Sequence, residues 1–340
     1  MISIDHSTIS KIIYHSVSVA DDKFILSNEL FACNDDEEQV LKNIFLKPFA
    51  NAFNAFEFKH EIDLKLNPLF KLSKDILEGE DFIEISKDIC QHLKTVSKHV
   101  NIKDGDVFIL KLNDVKYGDG FYEALGIFKV ENKQDFIETT SANDNPPLNF
   151  KKGIGTKKLD KACLIIFTDE PFTIFPIDNN TVDTAYWQDD FISLKVKNDN
   201  VNNTNQFLAL TKQYITEHIP AEFQVNKTDQ IDLLNRSVSY FKEHDNFDKQ
   251  EFEQEVLHHD ELINSFRSYE DKYKNNHEVS FQDNFAISEQ AVKKQAKIFK
   301  SILKLDKNFH IYIHGNKEMI EQGVEANGRK FYKIYYEEEN

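Results

Sequence analysis

Apolar residues within Ile9–Val19 and Phe24–Ser27 fall in a pattern that predicts two strands, joined through the polar turn Ala20-Asp-Asp-Lys23. Asn34-Asp-Asp-Glu-Glu then supplies a capping residue and an acidic first turn. Val40, Leu41, Ile44 and Phe45 follow at helical spacing, and Pro48 ends that run. Helical spacing resumes from Ile62 to about Val100, is broken at Leu77-Glu-Gly79-Glu, and continues through Phe82, Ile85, Ile89 and Leu93. Strands return at Val107–Leu112 and Tyr122–Val130 around the Gly118-Asp-Gly120 turn, and again at Asp135–Thr139. Thr140–Pro147 reads as an exposed loop. Ala162–Phe167 and Phe172–Ile177 read as a further hairpin.

Between residues 204 and 274 the spacing of three and four takes over, through Phe207, Leu210, Tyr214, Ile231, Leu234, Val238, Phe241, Phe252, Val256, Leu262 and Phe266. That predicts about four short helices with acidic outer faces. The remainder reads as helix Ser288–Lys304, strand Phe309–His314, a short helix Lys317–Gln322 stopped by Gly323, an Asn327-Gly328 turn and strand Lys330–Tyr336. The expected fold class is α+β. A mixed antiparallel sheet occupies residues 1–200, a helical section residues 201–280, and a small α+β unit with a basic helix residues 281–340. A chain of 340 residues is longer than one core usually grows, which agrees with more than one unit.

Charge changes this picture. The formal net charge is -17, so a nucleic-acid surface has to be local. Residues 288–340 hold ten Lys+Arg against eight Asp+Glu, leaving 31 against 50 upstream. The acidity therefore lies ahead of the C-terminal segment. Cys33, Cys90 and Cys163 are far apart in apolar surroundings, which suits reduced core thiols. With no apolar run of membrane length and no basic leader, a cytoplasmic protein without a membrane partner is expected.

The leading candidate surface is the predicted helix Ser288–Lys304. Lys293, Lys297, Lys300 and Lys304 are spaced four, three and four, so on a helix they stand in one column about 16 Å long. Val292, Ala296, Ile298, Phe299, Ile302 and Leu303 would line the opposite face. Two readings are open: a row of ammonium groups following phosphates, or a solubilising outer face. Lys294 and Lys307 add charge beside the column. A second cluster, Lys151, Lys152, Lys157, Lys158 and Lys161, surrounds two glycines and reads either as a phosphate cradle or as an exposed connection. Arg329 and Lys330, with Lys333, form a weaker patch. His310, Tyr312 and His314 share one strand face, but the two histidines are about 13 Å apart, too far to share a metal.

Candidates for catalysis are thin. His258-His-Asp-Glu261 has a metal-like composition, yet Asp260 there is more simply a helix cap, and Asp189-Asp190 could form a carboxylate pair for hydrolysis. The chain has no Gly-x-Ser-x-Gly, His-Glu-x2-His or Gly-x-Gly-x2-Gly motif. A non-enzymatic protein with no cofactor and no metal is expected.

Several segments resemble a known family. Phe24-Ile-Leu-Ser-Asn-Glu, Leu46-Lys-Pro-Phe49, Ala124-Leu-Gly-Ile-Phe-Lys129, Leu159-Asp-Lys-Ala-Cys-Leu-Ile165, Tyr186-Trp-Gln-Asp-Asp-Phe191, Ser237-Val-Ser-Tyr-Phe241 and the block Ile287–Gly315 are similar, in the same order, to segments of bacterial nucleoid-associated proteins of the NdpA or YejK type. The resemblance implies a cytoplasmic protein on the nucleoid that binds double-stranded DNA and, in some members, associates with a type II topoisomerase. It supplies no residue-level site. Taken with the charge and the acidic candidates, three expectations are open: a largely sequence-independent DNA-binding protein acting in chromosome organisation as a homodimer; an acidic adaptor or DNA mimic docking a DNA-handling enzyme; and a metal-dependent nuclease using Asp189, Asp190 or the acids near His258.

Overall fold

In the computed structural model, which describes residues 2–18, 24–50, 52–99, 101–139, 148–156, 158–179, 185–277, 279, 282–296, 299, 302–313 and 317–338, the fold is mixed α+β. The chain divides into two compact units, Met1–Lys197 and Asn198–Asn340. The linker predicted as the turn Ala20–Lys23 and the loop Thr140–Pro147 lie outside the described residues.

The first unit contains strands β1 (Ile2–Ser3), β2 (Thr8–Val17), β3 (Phe24–Leu26), β4 (Phe56–Phe58), β5 (Gly105–Tyr117), β6 (Gly120–Val130), β7 (Gln134–Thr139), β8 (Leu148–Gly153), β9 (Lys161–Ile166), β10 (Thr173–Asp178) and β11 (Leu194–Val196). Its helices are α1 (Asp35–Leu41), α2 (Pro68–Leu77) and α3 (Phe82–Val96). Nine of the strands make one antiparallel sheet in the order β11-β4-β10-β9-β6-β5-β2-β3, with β1 added on β5. β7 and β8 form a separate two-stranded ribbon.

Successive residues of a strand face opposite ways, and here both faces are covered. Ile13, Ile109, Ile127 and Ile165 pack with α2 and α3 residues such as Phe70, Ile89 and Leu93. Ile12, Leu110, Phe128 and Leu164 pack with Ile44, Phe45, Leu46 and Phe49. A strand buried on both sides reads as an unbroken apolar run, which is why every residue of Ala162-Cys-Leu-Ile-Ile166 is buried. His15 ties the sheet to α3. Its Nδ1 accepts the Ser27 N–H (3.1 Å), so the proton sits on Nε2, which faces Ser86 Oγ at 2.9 Å. Burial pushes this imidazole down to about 4, with the nearby Lys87 ammonium adding to the shift.

The helix starts follow capping chemistry. Asn34 and Glu37 form a reciprocal capping box at α1. Val40 is 56% exposed, because beyond Leu41 the backbone turns through a π turn and a 3-10 turn at Pro48 that bury Ile44–Leu46 instead. Ile62, expected to open a helix, is 84% exposed; α2 begins at Pro68, where Asn67 Oδ1 accepts the Phe70 N–H. Gly79, at φ +93, closes that helix as the left-handed residue such a stop requires.

The second unit holds α4 (Asn200–Gln213), α5 (Ile219–Glu222), α6 (Lys227–Glu243), α7 (Lys249–Phe252), α8 (Asp260–His277) and α9 (Glu289–Ala296), with paired strands β12 (Asn246–Asp248) and β13 (Asn284–Ala286), β14 (Ile302–Leu305) and β15 (Phe309–Tyr312), and β16 (Ile320–Val324) and β17 (Lys330–Ile334). Residues 201–280 and 281–340 share this unit: β12 pairs with β13, and Gln295 of α9 donates to Asn205 of α4 at 3.1 Å. Its core is a phenylalanine cluster, with Phe207 and Phe247 ring centroids 4.2 Å apart and Phe241, Phe252, Phe266 and Phe285 around them.

Two C-terminal elements differ from the sequence pattern. The stretch expected to be one helix over Ser288–Lys304 is helical over Glu289–Ala296, whereas Ile302–Leu305 is a strand. Leu303 and Leu305 explain the switch: two residues apart they would lie on opposite sides of a helix, whereas on a strand both face the core made with Ile231, Ile311 and Ile313. Asp306, in the left-handed region at φ 46, turns the chain, and its carboxylate accepts the Asn308 N–H at 2.7 Å. The helix expected over Lys317–Gln322 is only a 3-10 turn, Lys317–Met319, and Gly323 sits inside β16 rather than ending a helix. The ring of Phe331 covers the space a side chain at Gly323 would need.

Candidate nucleic-acid interface

The predicted lysine column does not reach Lys304. Lys293 and Lys294 are exposed on α9, with Lys293 paired to Glu289 at 3.1 Å, while Lys297 and Lys300 lie outside the described residues. Lys304 belongs to β14, where it stands directly opposite His310. Alternation puts Tyr312 on that same outward face, and Lys307 sits in the turn that ends the hairpin. The hairpin therefore presents Lys304, His310, Tyr312 and Lys307 along one ribbon. Among the described residues no carboxylate pairs with Lys304 or Lys307. His314 is outside the described residues.

The lysine-rich segment 151–161 is divided among different surroundings. Lys151 and Lys152 are neighbours on β8 and so point to opposite faces of the ribbon; Lys151 pairs with Glu138 at 2.6 Å and Lys152 lies opposite Asp135. Gly153 lies beneath the Phe136 ring, so it serves ribbon packing. Lys157 is outside the described residues, and Lys158 is exposed with its Nζ 3.5 Å from the Asn179 carbonyl.

Lys161 is no surface residue. It is 2% exposed on the central strand β9, and its ammonium bonds Asp178 at 2.7 Å. Directly across the sheet is Lys129, equally buried, donating to the Lys103 carbonyl (2.6 Å) and Glu131 (2.8 Å) and lying 3.2 Å from the Tyr186 hydroxyl. Burial draws the Lys129 ammonium below its ordinary range, and Glu131 opposes the shift. Lys161 thus leaves the candidate set, because a strand covered on both faces has no solvent to offer a phosphate.

Arg329 and Lys330 are exposed at the β16–β17 turn, where Asn327 Oδ1 accepts the Arg329 N–H. Lys333 is paired with Glu321 at 3.7 Å and lies over the Tyr335 ring. Asp189 and Asp190 are exposed on the π turn Gln188–Ile192, and His258 occupies a positive-φ turn before α8. Among the described residues, neither group belongs to a three-ligand cluster; the cluster that does form is His244, Glu251 and Glu255, which the sequence spacing did not single out. Cys90 and Cys163 are buried as expected, but Cys33 is only half-buried, in the irregular segment before α1. Among the described residues no helix is long and apolar enough to cross a membrane.

No individual curated protein matches the chain. The profile of the family described as nucleoid-associated protein YejK matches residues 13–329, spanning nearly all of both compact units. The chain belongs to that nucleoid-associated protein family, and membership implies a place on the nucleoid.

Proposed function

We propose that the protein binds double-stranded DNA through its phosphates, largely without reading base sequence, and that the β14/β15 hairpin carries those contacts in place of a helical lysine column. The observation behind this is the hairpin's outward face, with Lys304 opposite His310, Tyr312 alongside and Lys307 at the tip. A two-stranded ribbon fits a duplex groove, and ammonium groups on it bond flanking phosphates. Lys293 and Lys294, and more remotely Lys151, Lys152, Lys158, Arg329 and Lys330, are secondary contributors. In this reading the protein is non-enzymatic and cytoplasmic, acts in chromosome organisation, and works as a homodimer, which doubles the basic surface. A salt titration of DNA binding with the Lys304→Gln, Lys307→Gln double variant tests it. The log–log slope should flatten by up to about 0.9 for each lysine that neutralises a phosphate. An unchanged slope would take the hairpin out of the interface.

A second reading rests on charge. Within the second unit, residues 198–287 hold eight Lys+Arg against seventeen Asp+Glu, and Asp260, Glu261 and Asp271 are exposed along α8. Such a face suits docking of a basic DNA-handling enzyme such as a type II topoisomerase. Protein that never shifts DNA at low salt but co-purifies with a topoisomerase would favour it.

A further inference from the structure

His244 follows the last residue of α6, Glu251 lies in α7, and Glu255 lies four residues further on in the π turn Glu253–Leu257. The spacing of four sets the two carboxylates on one side of that turn, facing the imidazole. His244 Nε2 is 3.8 Å from a carboxylate oxygen of each glutamate, and the three ligand atoms all lie within 4.8 Å of one another.

The tautomer of His244 follows from its other nitrogen. Nδ1 is 3.0 Å from the Tyr240 carbonyl oxygen, which can only accept, so Nδ1 carries the hydrogen. Nε2 therefore offers its two carboxylates either a lone pair or a second proton. A lone pair aimed at two anions is repulsive, so the arrangement calls for a cation between them. The ring is also held in place, stacked on Tyr240 at 4.2 Å between centroids, and the Tyr240 hydroxyl lies 3.0 Å from Glu251 Oε2. An imidazole that donates one N–H to a carbonyl and turns its other nitrogen to oxygen ligands has the orientation that outer-shell bonding imposes on metal-bound histidines.

We propose that His244, Glu251 and Glu255 form a binding site for a divalent transition metal of the zinc class, with a fourth position open to water. One nitrogen and two oxygen ligands suit zinc better than magnesium or calcium, which take oxygen alone. Tetrahedral zinc keeps its ligand atoms about 3.4 Å apart. The 3.8 Å separations close to that by side-chain rotation, since all three residues are part-exposed. A cation there also sits at the C-terminal end of α6, where the helix dipole favours it. Bound metal would clip α7 and the π turn to the end of α6.

Isothermal titration of the full-length, chelator-treated protein with zinc chloride, and separately with magnesium chloride, tests the assignment. One saturable zinc site per chain is expected, with no comparable magnesium site and a raised melting temperature. His244→Ala should abolish that site. Glu255→Gln, nearly isosteric and exposed, should keep the fold and weaken zinc by at least about the tenfold that loss of an outer-shell partner costs. Two controls should leave the site intact: His218→Ala, which removes a histidine facing one carboxylate only, and the His258→Ala, His259→Ala double variant. The proposal is overturned if the parent shows no saturable zinc binding, if binding survives Glu255→Gln undiminished, or if only the His258/His259 variant loses it.

Discussion

Among the cross-strand pairs that set a lysine opposite another basic side chain are Lys161 opposite Lys129 in the large sheet and Lys304 opposite His310 in the C-terminal hairpin. Their surroundings differ completely. The first pair is buried, and each ammonium has its own carboxylate, Asp178 or Glu131. The second pair faces solvent, with no carboxylate on Lys304 among the described residues. A strand covered on both faces has to neutralise its charges from within, while a ribbon with one open face can leave that to an external anion. Lysine density along a sequence therefore says little about an anion surface until each lysine is placed on its strand.

Removing one member of each pair gives the sharpest contrast. Lys129→Ala removes the ammonium bound to Glu131, whose side chain is 3% exposed, and should cost about 3–5 kcal/mol in urea unfolding. A cost no larger than that of Lys304→Ala would break the comparison. The next effect in size is pH-dependent and tests the same enclosure through His15. Its folded-state value near 4 lies below the ordinary 6.5, so between those values the unfolded chain binds the extra proton and stability falls as pH drops. That loss is about 3 kcal/mol by pH 4, and the difference between parent and His15→Gln should show it while other groups cancel. Smaller again is Asn34→Ala, which removes the α1 capping box and should cost about 1 kcal/mol in the same unfolding assay. At the small end, Lys304→Gln should change stability by less than about 0.5 kcal/mol, so any altered DNA affinity would belong to contact and not to folding.

The β5–β6 hairpin was legible in the sequence because a Gly-Asp-Gly turn separates two long apolar runs, and the capping residue Asn34 announced α1 correctly. The end of the basic helix was not. In Lys300-Ser-Ile-Leu-Lys-Leu305 the spacings of a helix and a strand overlap, and only the Asp306 turn and the partner strand Phe309–Tyr312 decide between them. Gly323 misled for a similar reason: a glycine after an apolar stretch reads as a helix stop, whereas here it makes room for Phe331 across the hairpin. Lys161 could not be told from its lysine neighbours, since burial is set by β6 and β10 on either side. His244, Glu251 and Glu255 share no local motif, and the turn between α6 and α7 is what brings them together.

The unequal placement of the three cysteines has a practical side. Burial pushes the Cys90 thiol up to about 12 and raises Cys163 further, which leaves both almost without the thiolate that alkylating reagents attack. Cys33 is also raised, by burial and then by Glu38, but it alone is reachable from solvent. At mildly alkaline pH the native chain should take up a single maleimide fluorophore, without any engineered site. That dye would label the first unit and leave the hairpin proposed to bind DNA, in the second, unmodified.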